Sequence, residues 1–97
     1  METLIIPEQD IINAVCIYIA EKRQIKPQEV EVELMYDDDY GFSAEVYVGD
    51  RKQVLITQNL IEALRGWLDQ VLHMNPYSGI ELVLDEEEGI IAHIKGK

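Results

Sequence analysis

Residues 29–48 read EVEVELMYDDDYGFSAEVYV, and their alternation decides the fold. Val30, Val32, Leu34 and Tyr36 point one way, while Glu31, Glu33 and Met35 point the other. A period of two with one apolar side is the pattern of a strand with one wet face. Phe42, Ala44, Val46 and Val48 repeat it, leaving Glu31, Glu33, Glu45 and Tyr47 on the outer face. Between the runs stand Asp37, Asp38, Asp39, Tyr40 and Gly41. A closing glycine supplies the positive φ that hairpin loops often need, so the stretch predicts a β-hairpin.

A second hairpin is expected near the other end. Ile80, Leu82 and Leu84 alternate with Glu81, Val83 and Asp85, and Ile90, Ala92 and Ile94 return after Gly89. Set in register, the hairpins share Glu33/Glu81, Leu34/Leu82, Asp37/Asp85, Gly41/Gly89 and Ala44/Ala92. A turn at Gly49-Asp50 leads to a short apolar run, Val54 to Ile56, which predicts a further strand.

Two helices complete the pattern. Ile11, Ile12, Val15, Tyr18 and Ile19 recur at helical spacing over residues 8–24. Pro7 suits the first turn, and Pro27 cannot continue the helix. Thr57 or Asn59 can cap a second helix running to about Met74. Its stripe is Leu60, Leu64, Trp67 and Val71, flanked by Ile61, Leu68 and Leu72, with Glu62, Arg65 and Asp69 facing water. The helix starts also correspond, with one gap: LIIPEQDII against VLITQNLI. Duplication explains these matches, and so does the limited vocabulary of hairpins. The expected fold is α+β: two helix-plus-hairpin (αββ) pseudo-repeats, at about 3–50 and 53–95, within a single domain spanning 1–97. An antiparallel sheet of four to five strands would carry both helices on one face.

Composition narrows the function classes. The chain has 97 residues, 47% hydrophobic and 28% charged, an ordinary globular mix. Nineteen acids against eight bases give a net charge of −11. That balance repels nucleic acid and anionic membranes, and leaves a basic protein partner, a cation or simple solubility as its uses. No apolar run approaches the about 18 residues of a membrane helix. The first residues carry neither a basic segment nor a long apolar one, so no signal peptide is expected. Cys16 is the single cysteine, which excludes an internal disulfide and points to the cytoplasm.

The candidate metal ligands are the acidic turns: Asp37, Asp38 and Asp39 in one hairpin, and Asp85, Glu86, Glu87 and Glu88 in the other. Clustered carboxylates suit a hard divalent cation. However, DDDYG and DEEEG lack the alternate spacing of a calcium loop, and charge runs are usually hydrated. Cys16, between Val15 and Ile17, reads as a small buried hydrophobe. His73 suits the end of the second helix and His93 the outer face of the last strand; together they form no metal signature. Ile17 falls opposite its main stripe, near Asn13, Ala20 and Glu21, and is a candidate contact for another chain. Gly66 takes the corresponding place in the second helix and suggests a close approach there. No nucleophile elbow, P-loop or dinucleotide fingerprint occurs, so no catalytic residue and no cofactor is assigned.

The segments DIINAVCIYIAEKR and VEVELMYDDDYGFSAEVYV resemble the YxcD-like proteins, a family of small proteins from Bacillus and related bacteria. The resemblance covers most of the chain. It implies a small bacterial cytoplasmic protein and carries over no catalytic or binding residue. The expectation is a non-catalytic protein-interaction module able to form a homodimer, with its acidic turns and outer sheet face meeting a partner. The alternative is a divalent-cation protein using the acidic turns, and a third reading is a small hydrolase whose carboxylates act through a metal.

Overall fold

The structure, a computed structural model, describes residues 3–95. Its elements are β1 (Thr3–Ile6), α1 (Glu8–Arg23), β2 (Val30–Asp37), β3 (Gly41–Val48), β4 (Arg51–Ile56), α2 (Thr57–Gln70), β5 (Gly79–Asp85) and β6 (Gly89–Lys95). A single 3₁₀ turn, Pro27–Glu29, leads into β2. The fold is therefore α+β, with two helices and two three-stranded antiparallel sheets.

Both hairpins form in the expected phase over most of their length, but Tyr36 and Leu84, expected inward, are exposed near the turns, and Ile91 on the outer parity of β6 is buried. Their registers run to Asp37↔Gly41 and Asp85↔Gly89, leaving three-residue loops in each. Gly41 and Gly89 close them at φ of +79° and +80°. Each loop thus ends on a left-handed residue in the closing pair, a conformation glycine adopts without a Cβ penalty.

The strands do not join into one sheet of four to five. Instead the sheets are ordered β2-β3-β4 and β1-β6-β5. The Gly49-Asp50 turn folds β4 straight back onto β3, and β1 pairs with β6 from Thr3↔Lys95 to Ile6↔Ala92. The inner strand of each hairpin is thereby occupied on both sides. Only the edges β2 and β5 are left for joining the hairpins. They carry Glu31, Glu33 and Asp37 on one side and Glu81 and Asp85 on the other. Like charges facing across strands are destabilising.

Each helix serves both sheets. α1 gives Ile11 and Ala14 to a core with Ile90, Ala92 and Ile94 of β6, then Val15 and Ile19 to a core with Ala44, Val46 and Leu55. α2 does the reverse, with Leu60 and Ala63 in the second core and Leu64 and Leu68 in the first. Leu34, Phe42 and Leu82 touch both. The helices therefore run in opposite directions across one continuous apolar layer. Full burial of each valine, leucine or isoleucine among them contributes about 1.5–3 kcal/mol, which is what holds two small sheets together.

α2 is shorter than its apolar pattern suggested. It ends at Gln70, and the Leu72 and Met74 N–H groups turn back to the Trp67 and Leu68 carbonyls. His73 adopts a left-handed conformation, φ +54°, within this stop. Val71 and Leu72 consequently lie outside the helix and are exposed. At the start, Ile56 occupies the cap position and the Asn59 carboxamide accepts its N–H, while the Thr57 hydroxyl donates to the Phe42 carbonyl at 2.7 Å.

Gly66 marks no close approach, because a Cβ built there meets nothing within 4 Å. Gly66→Ala is therefore expected to stabilise the protein by about 1 kcal/mol, through the lower helix propensity of glycine alone. Urea denaturation of the two proteins checks this.

Candidate functional site

The acidic turns are built by their first aspartate. One carboxylate oxygen of Asp37 accepts the N–H groups of Asp39 and Tyr40, at 2.7 and 3.1 Å. Asp85 does the same for Glu87 and Glu88, at 2.8 and 2.9 Å. Asp38, Asp39, Glu86, Glu87 and Glu88 are exposed. Among the described residues no group of three or more His, Cys, Asp or Glu side chains is placed to hold a metal ion.

The bonds from the Glu88 and then the Glu87 N–H favour the ionised form of Asp85 and hold its carboxyl below the usual aspartate value. A depressed pKa contributes stability above the unfolded value, about 3.9, and that contribution is lost as pH falls through the lower folded value. Asp85→Asn should therefore be less stable than the parent near neutrality. The gap should narrow as pH falls from about 5 to about 2. Melting curves across that range test it.

The outer face of β2-β3-β4 is the most differentiated surface. Register places Glu31, Tyr47 and Lys52 in one cross-strand row, Glu33, Glu45 and Val54 in the next, and Met35, Ser43 and Ile56 in a third. The four residues expected on this face, Glu31, Glu33, Glu45 and Tyr47, are there. The Lys52 ammonium lies 2.8 Å from Glu45, and the Tyr47 hydroxyl donates to the same carboxylate at 2.6 Å. The lysine, and next the tyrosine, hold the Glu45 carboxyl below its usual range. Beside this ordered polar cluster, Val54 and Ile56 are 55% and 59% exposed. The face thus runs from carboxylates on β2, through Glu45 and Tyr47 on β3, to bare aliphatic groups on β4.

Other singled-out residues take quieter roles. Cys16 is half-buried, its thiol 3.6 Å from the Val30 carbonyl, and burial raises its pKa, which makes the thiolate scarce. Ile17 is also half-buried. With Asn13, Cys16, Pro27, Gln28 and Trp67 it lines an open cleft of about 560 Å³. His93 sits on the outer parity of β6, between Ile5 and Glu81. Arg65 is half-buried rather than fully exposed: its guanidinium donates to the Pro76 and Ser78 carbonyls at 2.5 and 3.2 Å and pins the α2–β5 connection. The signal for that role was the run Asn75–Gly79, an irregular connection in which any carbonyl withdrawn from water, as at buried Ser78, needs a donor.

The two sheets and their helices make a small α+β protein. The chain belongs to the family described as "Protein of unknown function (DUF2653)", whose model matches residues 1–87. It is 34% identical over 91 residues to "Uncharacterized protein YxcD" of Bacillus subtilis (strain 168), covering 92% of this chain and 89% of that relative. The resemblance read from the two segments is therefore correct. No solved structure matches the chain. No helix among the described residues is long and apolar enough to cross a membrane.

Proposed function

We propose that the protein is a non-catalytic interaction module of the cytoplasm, and that the outer face of β2-β3-β4 receives a basic partner segment with alternating apolar side chains. The observation that carries this reading is a single three-stranded face with Glu31 and Glu33 on one edge strand, exposed Val54 and Ile56 on the other, and Glu45 of the central strand directly beside Val54. A strand-like segment with lysines on one row and aliphatic groups on the next matches that face in both charge and polarity. The net charge of −11 draws such a segment in and turns away nucleic acid. The Glu45–Lys52–Tyr47 cluster keeps the middle of the face ordered before a partner arrives, which lowers the entropy cost of binding.

The test is a titration with a synthetic peptide of alternating lysine and valine, followed by amide NMR shifts. Saturable shifts at Glu31, Glu33, Val54 and Ile56, weakened by salt and abolished in Glu31→Gln/Glu33→Gln, are expected. Shifts confined to the acidic turns, or none, would refute the reading.

The single domain is further read as two copies of one unit, at about 3–50 and 53–95. Two like contacts support this. Glu8 at the start of α1 accepts the Ile90 N–H after Gly89, and Thr57 at the start of α2 donates to the Phe42 carbonyl after Gly41. The identities between the hairpins fall at the same structural places.

A further inference from the structure

β4 is an edge strand with a chemistry unlike the other edges. Its backbone polarity follows from the turn before it. Gly49, at φ +61°, opens a two-residue loop closed by the pair Val48↔Arg51. Such a loop is closed by a hydrogen-bonded pair, and the bonding alternates from there. Arg51, Gln53 and Leu55 thus spend their N–H and C=O groups on β3. Lys52 and Val54 aim theirs away from the sheet, and among the described residues no strand meets them. The Ile56 N–H is already taken by Asn59.

Charge then selects the occupant. Edges β2 and β5 are acidic, with Glu31, Glu33 and Asp37 on one and Glu81 and Asp85 on the other. Two copies of a chain at −11 repel each other there. β4 reads Arg51-Lys52-Gln53-Val54-Leu55-Ile56, without an acid and with two bases. It is the longer of the two acid-free edges, since β1 has only four residues. An edge lysine ordinarily guards against pairing. Here the Lys52 ammonium is folded back onto Glu45, 2.8 Å away, and leaves the edge open.

We propose that a second copy of this chain pairs antiparallel with β4 about a twofold axis at Gln53. The outward groups of Lys52 then exchange hydrogen bonds with those of Val54 in the other copy, and vice versa. The two three-stranded sheets become one. Across the join, each Val54 lies beside Lys52 of the other copy, with Glu45 next along the same row. The contact is isologous and closes on itself. It is separate from the outer-face reading, since a monomer could still take the peptide described above.

The test has two arms. Sedimentation of the full chain should give twice the monomer mass across the micromolar range. V54K should weaken the dimer at least about tenfold, because it sets a second ammonium opposite Lys52 of the other copy. Val54 is already exposed, so the variant keeps its fold, which circular dichroism verifies. Independently, Q53C in a C16S background should oxidise to a covalent dimer. The axis puts residue 53 in a non-hydrogen-bonded pair with Cα atoms about 4.5 Å apart, within disulfide reach. A wild-type monomer, a dimer indifferent to V54K, or a Q53C protein that does not cross-link would each overturn the proposal. None of these results touches the peptide titration, so the two ideas fail separately.

Discussion

Leu64→Ala is expected to lower the unfolding free energy by about 3–5 kcal/mol, the cost of an unfilled cavity in a close-packed core. Leu64 has no exposed surface and lies where α2 meets Ile11 and Ala14 of α1 and Ile90, Ala92 and Ile94 of β6. A domain of this size holds only about 5–15 kcal/mol in total, so this one change removes a large part of it. The urea midpoint should fall with an unchanged slope, and the melting temperature by more than about 10 °C. Leu72 is the control. It shares the apolar pattern of α2 but sits past the helix end, 38% exposed. Leu72→Ala should cost less than about 1 kcal/mol. Equal losses at the two positions would mean that the helix continues through Leu72.

The second large effect is at Gly89. Its φ of +80° already disfavours any side chain, and a Cβ there would lie 2.8 Å from a carboxylate oxygen of Glu8. That carboxylate accepts the Ile90 N–H at 3.1 Å and ties the start of α1 to β6. Gly89→Ala therefore combines backbone strain with loss of a fastening, for about 2–3 kcal/mol. Gly41 has nearly the same φ, but its added Cβ meets the Thr57 hydroxyl at an ordinary 3.7 Å. Gly41→Ala should cost only the strain, about 1 kcal/mol or slightly more. The comparison separates the two contributions. In a Glu8→Ala background the excess at Gly89 should vanish, and a persistent excess would refute the assigned contact.

The hairpins were legible because alternation over seven or eight residues has one reading once a glycine closes the loop. The outer-face residues followed from the same parity. β1 was not legible as a strand. Thr3–Ile6 has no alternation and its partner β6 is at the far end of the chain, so local sequence cannot announce the pairing. Its likeness to Val54–Ile56, which does form a strand, was the available clue. The end of α2 was missed because Val71 and Leu72 continue the apolar spacing, and no glycine or proline interrupts it before Pro76. The half-buried position of Arg65 was hidden because charge predicts exposure, while its guanidinium is spent on the carbonyls of the following connection. The aspartate triplet shows how composition misleads in the other direction. Asp37 looks like one of three equivalent ligands, yet its carboxylate is the one that shapes the turn.

The pairing of β1 with β6 also sets an order of events in time. The strands β2, β3 and β4 are neighbours along the chain and can zip together as soon as residue 56 is available. The other sheet must wait, because its central strand is the last of the six to be synthesised. Until then Leu4, Ile5 and Ile6 have no ladder to join. A nascent chain on the ribosome thus carries one paired sheet, whose core still awaits Leu60 and Ala63, and an unpaired apolar segment for the remainder of translation, the interval in which a chaperone has most to hold.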